Sequence, residues 1–104
     1  MEVRIQSVRF NADEKLIDYI EGKLEKLTKF NDRIHKVEVF LKLENTGRVR
    51  DKIVEIKASI PGQNTIFVED VDKAFEASFD KALLSLKRLV IKQKDMVKNP
   101  RYKV

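Results

Sequence analysis

The chain has 104 residues, 42% of them hydrophobic and 38% charged, with a formal net charge of +5 and no cysteine. A chain of this size builds one compact core and leaves little material for a second. Without cysteine there are no disulfide frameworks, thiolate metal sites or cysteine nucleophiles, and no apolar run approaches the roughly 20 residues that span a bilayer.

Residues 2–7 read as a first strand, since Val3 and Ile5 alternate with Glu2, Arg4 and Gln6. Asn11 and Asp13 then offer capping side chains. Leu16, Ile17, Ile20, Leu24 and Leu27 recur at helical spacing, which places a first helix over about residues 12–30. Asn31-Asp32 breaks that pattern. Val37, Val39, Leu41 and Leu43 follow in alternation with Glu38, Phe40, Lys42 and Glu44 as a second strand. Asn45-Thr46-Gly47 signals a turn, and Val54, Ile56, Ala58 and Ile60 form a third strand. Pro61-Gly62-Gln63-Asn64 turns the chain into a short fourth strand at Ile66, Phe67 and Val68. From Val71 to about Val97 the helical period returns through Phe75, Phe79, Ala82, Leu83, Leu86, Leu89 and Val90. Pro100 opposes continuation, so residues 1–98 are expected to form one α+β domain and residues 99–104 a short basic tail.

The order β-α-β-β-β-α predicts a two-layer sandwich: a four-stranded sheet with an antiparallel meander and both helices on one face. The other face then carries Arg4, Glu38, Phe40, Lys42, Glu55 and Lys57 towards water. Phe40 is read there as a cross-strand packing residue rather than a base-stacking platform.

Catalysis finds little support. His35, the single histidine, has neither a second histidine nor a cysteine to work with, and is expected in a surface loop. Gly22, Gly47 and Gly62 are isolated and open no phosphate-binding loop. The acids Asp13-Glu14 and Glu69-Asp70-Asp72 precede the expected helices, where they favour the positive helix end. No catalytic residue, cofactor, metal site or small-molecule substrate is therefore expected.

Charge placement is more informative. Residues 81–104 hold eight Lys/Arg against one acid, Asp95, whereas the first 80 residues hold 14 bases and 16 acids. Such a basic last quarter points to a polyanion. At about 100° per residue, Lys15, Lys23, Lys26 and Lys29 fall on one flank of the first helix, and Glu14, Asp18, Glu21 and Glu25 on the other. On the second helix, Lys81, Arg88 and Lys92 line one flank and Lys87, Lys94 and Lys98 the other. If basic flanks of the two helices met, they would form one positive groove or ridge for RNA phosphates. The periodicity leaves open which flanks meet. A membrane-surface helix would need exposed bulky apolar residues, and the sheet consumes those.

Several segments together resemble the hibernation-promoting factor and ribosome-associated inhibitor family. They are Ile5-Gln6-Ser7, Lys23-Leu24-Glu25-Lys26-Leu27, Asp32-Arg33-Ile34, the strand Val37 to Glu44, Leu86-Lys87-Arg88-Leu89 and Lys92-Gln93-Lys94-Asp95. The resemblance runs the length of the chain in order. It implies a bacterial cytoplasmic factor of stationary phase and stress that binds the small (30S) ribosomal subunit and its 16S rRNA. Such a factor blocks the sites of messenger and transfer RNA, inhibits translation and accompanies idle 70S or 100S ribosomes. Carried over by position, the RNA-facing residues are Lys23, Lys26, Arg88, Lys92 and Lys94; Lys29, Lys81 and Lys98 join them by geometry.

The sequence departs from the family pattern at Ala74-Phe75-Glu76-Ala77-Ser78-Phe79-Asp80 and Leu84-Ser85-Leu86, where many relatives carry Asp-x-Tyr-x-Ala-Ile-Asp and Asp-Lys-Leu. Only Asp80 survives of those acids. The length resembles the family's short form, and the brief tail leans towards members that promote ribosome pairing. The alternatives are a structured-RNA-binding module unrelated to ribosome silencing, and a protein-interaction or membrane-surface domain using the second helix.

Overall fold

The computed structural model describes residues 1–44 and 51–98, with side chains up to Gln93. The Asn45-Thr46-Gly47 turn, the tail from Asn99 and the side chains of Lys94, Val97 and Lys98 lie outside the described residues.

The elements are β1 (Glu2–Ser7), α1 (Glu14–Glu25) continued by a 3-10 turn (Lys26–Lys29), β2 (Lys36–Leu43), β3 (Lys52–Ser59), β4 (Ile66–Asp72) and α2 (Phe75–Lys98). The sheet order is β1-β2-β3-β4. β1 runs parallel to β2, with Val3 opposite Val37, while β2, β3 and β4 form the expected antiparallel meander. A parallel pair needs a crossover, and α1 supplies it.

Alternation selects one buried face. Val37, Val39 and Leu41 of β2, Val54, Ile56 and Ala58 of β3, and Ile66 and Val68 of β4 meet Leu16, Ile20, Leu24 and Leu27 from α1 and its extension. From α2, Phe75, Phe79, Ala82, Leu83, Leu86 and Val90 complete the core. Each large side chain removed from water here contributes about 1.5–3 kcal/mol. Both helices therefore cover the same sheet face, α2 over β3 and β4 and α1 beside it near β1.

Three boundaries differ from the sequence reading. α1 closes at Glu25, because the Thr28 hydroxyl donates to the Glu25 carbonyl at 3.2 Å and Phe30 N–H bonds Leu27 O at 3.0 Å, tightening the last turn. β4 extends to Asp72, and α2 starts at Phe75 rather than Val71. Val71 pairs with Ile53 on the open sheet face, so it leaves the helical stripe. Glu69, Asp70 and Asp72 consequently belong to β4 and do not cap α2; Asp13 does cap α1, accepting from Lys15 N–H at 3.1 Å.

Two turns use the left-handed region. Gly62, with φ of 76°, follows Pro61 in a tight turn closed by Gln63 N–H on Ile60 O at 3.1 Å. Arg9, with φ of 66°, lies between two anchors: Val8 N–H bonds Leu41 O at 2.9 Å, and the Phe10 ring stacks on Phe75 at 5.3 Å. A non-glycine residue held there costs about 1–2 kcal/mol.

Candidate functional site

A groove of about 380 Å³ runs between α1 and α2, lined by Lys23, Lys26, Asp80, Leu83, Leu84 and Lys87. Its position follows from the wheels of the two helices. Buried Ile20 and Leu24 turn Tyr19, Lys23 and Lys26 towards α2, and buried Phe79, Leu83 and Leu86 turn Asp80, Leu84 and Lys87 towards α1. The basic flank of α1 thus meets the Lys87 flank of α2, and the acids of α1 lie on its other side.

One cluster fixes the groove floor. The Lys23 ammonium donates to Asp80 Oδ1 at 2.8 Å, and the Tyr19 hydroxyl lies 2.8 Å from both Asp80 oxygens. Lys23 also sits 4.6 Å from the centroid of the Tyr19 ring, which meets Phe79 edge-on at 6.3 Å. The hydrogen bond that Lys23 donates to Asp80, reinforced by Tyr19, raises the Lys23 ammonium above its ordinary range. Burial pushes the Asp80 carboxyl up, but the bonds from Lys23 and Tyr19 outweigh it and hold Asp80 below the usual carboxylate range.

The remaining groove cations have no such partner. Among the described residues, neither Lys26 nor Lys87 forms an ion pair; the Lys87 ammonium instead lies 5.2 Å from the centroid of the half-exposed Phe30 ring. Asn31, buried at the end of the 3-10 turn, donates to Val90 O at 3.3 Å and ties the two helices together beyond the groove.

Of the residues expected to bind RNA, Lys23 and Lys26 line this groove and Lys29 is exposed at the end of the 3-10 turn. Arg88 and Lys92 are exposed and without ion-pair partners among the described residues, on the other flank of α2. Lys81 shares that flank and does not join the groove: its ammonium bonds Asp72 at 2.8 Å, which raises Lys81 and lowers Asp72. Lys94 and Lys98 have side chains outside the described residues. Lys87, Asp80, Tyr19 and Leu84 complete the site and were not selected from the sequence. A signal was present in the spacing of Asp80 and Lys87, seven residues apart and hence on one face.

The open sheet face is built differently. Lys42 bonds Glu55 at 2.5 Å, Lys36 lies 3.8 Å from Glu38, and Lys57 lies 5.4 Å from the Phe40 ring centroid. Phe40 is partly buried, in line with cross-strand packing. Glu55 and Glu69 stand opposite one another. Burial pushes Glu55 up but the Lys42 bond prevails and leaves it low, while sharing a hydrogen bond with Glu55 raises Glu69. His35 is exposed, and its backbone bridges Glu2 and Ser59. Among the described residues, no cluster of acids or histidine is arranged to hold a metal ion, and no helix is long and apolar enough to cross a membrane.

Comparison with known proteins gives a consistent picture. Residues 3–98 match the family described as Sigma 54 modulation protein / S30EA ribosomal protein. No match is found among curated proteins. Among solved structures, a ribosomal subunit interface protein from Coxiella burnetii superposes with a TM-score of 0.80 at 19% identity, covering 91% of this chain and 99% of that one. The N-terminal domain of Protein Y from Thermus thermophilus superposes with a TM-score of 0.74 at 24% identity, covering 88% and 98%.

Proposed function

The chain belongs to the Sigma 54 modulation protein / S30EA ribosomal protein family, and from that premise we propose that it is a ribosome hibernation factor. In this reading it binds the 16S rRNA of the small subunit in the bacterial cytoplasm. There it occupies the space of messenger and transfer RNA, so that idle ribosomes are held inactive by steric competition rather than by chemistry. The family is ribosome-associated, which agrees with the resemblance read from the sequence. The solved relatives support the fold that carries the site.

The observation that carries the proposal is the groove itself. Lys23, Lys26 and Lys87 converge from two helices onto one concave strip, and among the described residues Lys26 and Lys87 form no ion pair. Phosphates of a folded RNA present charge at that scale, and neutralising them releases counterions. Exposed Arg88 and Lys92 extend the basic surface around α2.

Sucrose-gradient sedimentation with small subunits, large subunits and whole ribosomes tests the reading. The protein should travel with small subunits and whole ribosomes, and leave them as salt rises, with a slope in log affinity of about −0.7 to −0.9 per neutralised phosphate. Excess free duplex RNA should not displace it. Displacement by duplex would favour a general structured-RNA module, and failure to sediment with any ribosomal particle would defeat the proposal.

A further inference from the structure

An acid inside a groove for a polyanion needs a reason. Asp80 lines the same groove as Lys23, Lys26 and Lys87, and its side chain is 45% exposed there, so its charge faces any phosphate that enters. On charge alone, removing it would tighten binding.

The geometry argues the reverse. A lysine side chain is long and loses much rotational freedom when it is held in one place. Lys23 is held from two sides: by Asp80 Oδ1 at 2.8 Å, and by the Tyr19 ring with its centroid 4.6 Å away. Asp80 is itself fixed, since the Tyr19 hydroxyl reaches both carboxylate oxygens from α1, and the Tyr19 ring is wedged against buried Phe79. An ammonium has three donors. One is taken by Asp80, and with its side chain 41% exposed Lys23 keeps donors for a ligand.

We infer that Asp80 is a positioning residue for RNA phosphate binding: with Tyr19 it holds the Lys23 ammonium at the groove floor, in register with Lys26 and Lys87. The inference rests on the groove being the RNA site. It assigns the acid a role in binding through Lys23, without contact of its own to the ligand. Lys23 enters the complex already ordered, so less freedom is lost on binding. The acid also makes the groove uneven, leaving net positive charge at Lys26 and Lys87 and a neutral pair at Lys23 and Asp80. A phosphate is thereby directed to the Lys26 and Lys87 side, with Lys23 donating from below.

The test titrates wild type, Asp80→Asn, Tyr19→Phe, Lys23→Gln and the double variant Asp80→Asn/Lys23→Gln onto purified small subunits across a salt series. Asp80→Asn should weaken binding by roughly two- to fivefold, the range of a partly exposed ion pair. It should also flatten the salt slope by about one phosphate contact, roughly 0.7–0.9. Tyr19→Phe should act in the same direction and less strongly. The double variant should bind no more weakly than Lys23→Gln alone, because the acid acts only through that lysine. Asp80→Glu, which keeps the charge on a side chain one methylene longer, should restore part of the slope. Loss of stability alone would not flatten the slope of the folded protein, and Tyr19→Phe keeps the test open if Asp80→Asn folds poorly. Tighter binding by Asp80→Asn, an unchanged slope, or additive losses in the double variant would overturn the inference while leaving the RNA groove standing. Absence of wild-type binding would remove both.

Discussion

On the open sheet face, Lys42 is bonded to Glu55, Lys36 lies near Glu38 and Lys57 rests against Phe40, so each of these cations is engaged within the fold. Across the sandwich, Lys26 and Lys87 line a groove and form no ion pair among the described residues. Both faces are rich in lysine. The difference lies in where the acids went: alternation along β2 and β3 sets Lys and Glu side by side on the sheet, whereas the helix α1 turns its acids to the flank away from α2. A count of charges does not separate the two surfaces, but a count of unpaired charges does.

The largest expected effect undermines both regions together. Phe79 is fully buried beneath Tyr19, so Phe79→Ala should cost about 3–5 kcal/mol in urea denaturation and collapse the groove floor with the core. Next comes the direct contrast. Lys26→Glu/Lys87→Glu should lower affinity for small subunits by about a hundredfold or more at low salt, since each reversal removes one attraction and adds a repulsion. Lys42→Gln/Lys57→Gln, which removes the same number of cations from the sheet face, should leave affinity within about twofold and change stability by about 1 kcal/mol or less. Equal losses from the two pairs, read by filter binding or sedimentation, would erase the distinction between the faces.

The smallest effect sharpens the contrast through pH. Glu69 has a raised folded pKa, so its stabilising protonated form is present at low pH and lost as pH rises through that value; Glu55 is lowered and loses its contribution as pH falls. The two signs oppose one another on the sheet. In the groove Asp80 is lowered with no raised carboxylate beside it, so its contribution is lost only on acidification. Glu69→Gln should therefore stabilise the protein at neutral pH by about 0.2–1 kcal/mol, nearer the lower figure because Glu69 is exposed. The gain should fade as the pH falls through the raised Glu69 value and the carboxyl takes up its proton, and a gain of equal size at neutral and acid pH would contradict the shared carboxyl pair.

Much of this was legible in the residues. Alternation at Val37, Val39 and Leu41 identified the buried sheet face, and the short turn at Pro61-Gly62 identified the meander, because both signals are local. The α2 boundary was not, since Val71, Phe75 and Phe79 satisfy a helical period whether or not Val71 belongs to the strand before it. Only its pairing with Ile53 decides, and that pairing is made between segments the periodicity does not connect. The basic flank of α1 that carries Lys23 and Lys26 was legible because charge segregation is visible on a single helix, and the family resemblance singled out those two lysines on it. Lys87 and Asp80 were passed over, and Lys81 favoured, because the relevant flank of α2 is defined by a neighbour rather than by α2 itself.

The parallel pairing of β1 with β2 has a consequence for how the molecule comes into being. Synthesis delivers β1 first, but its ladder partners begin at Lys36, so the strand waits through the making of all of α1 before it can be zipped in. The β2-β3-β4 meander, closed by chain neighbours, has no such delay. During that interval β1 has no ladder partner, and its alternation of charged Glu2 and Arg4 with Val3 and Ile5 disfavours edge-to-edge pairing with other chains.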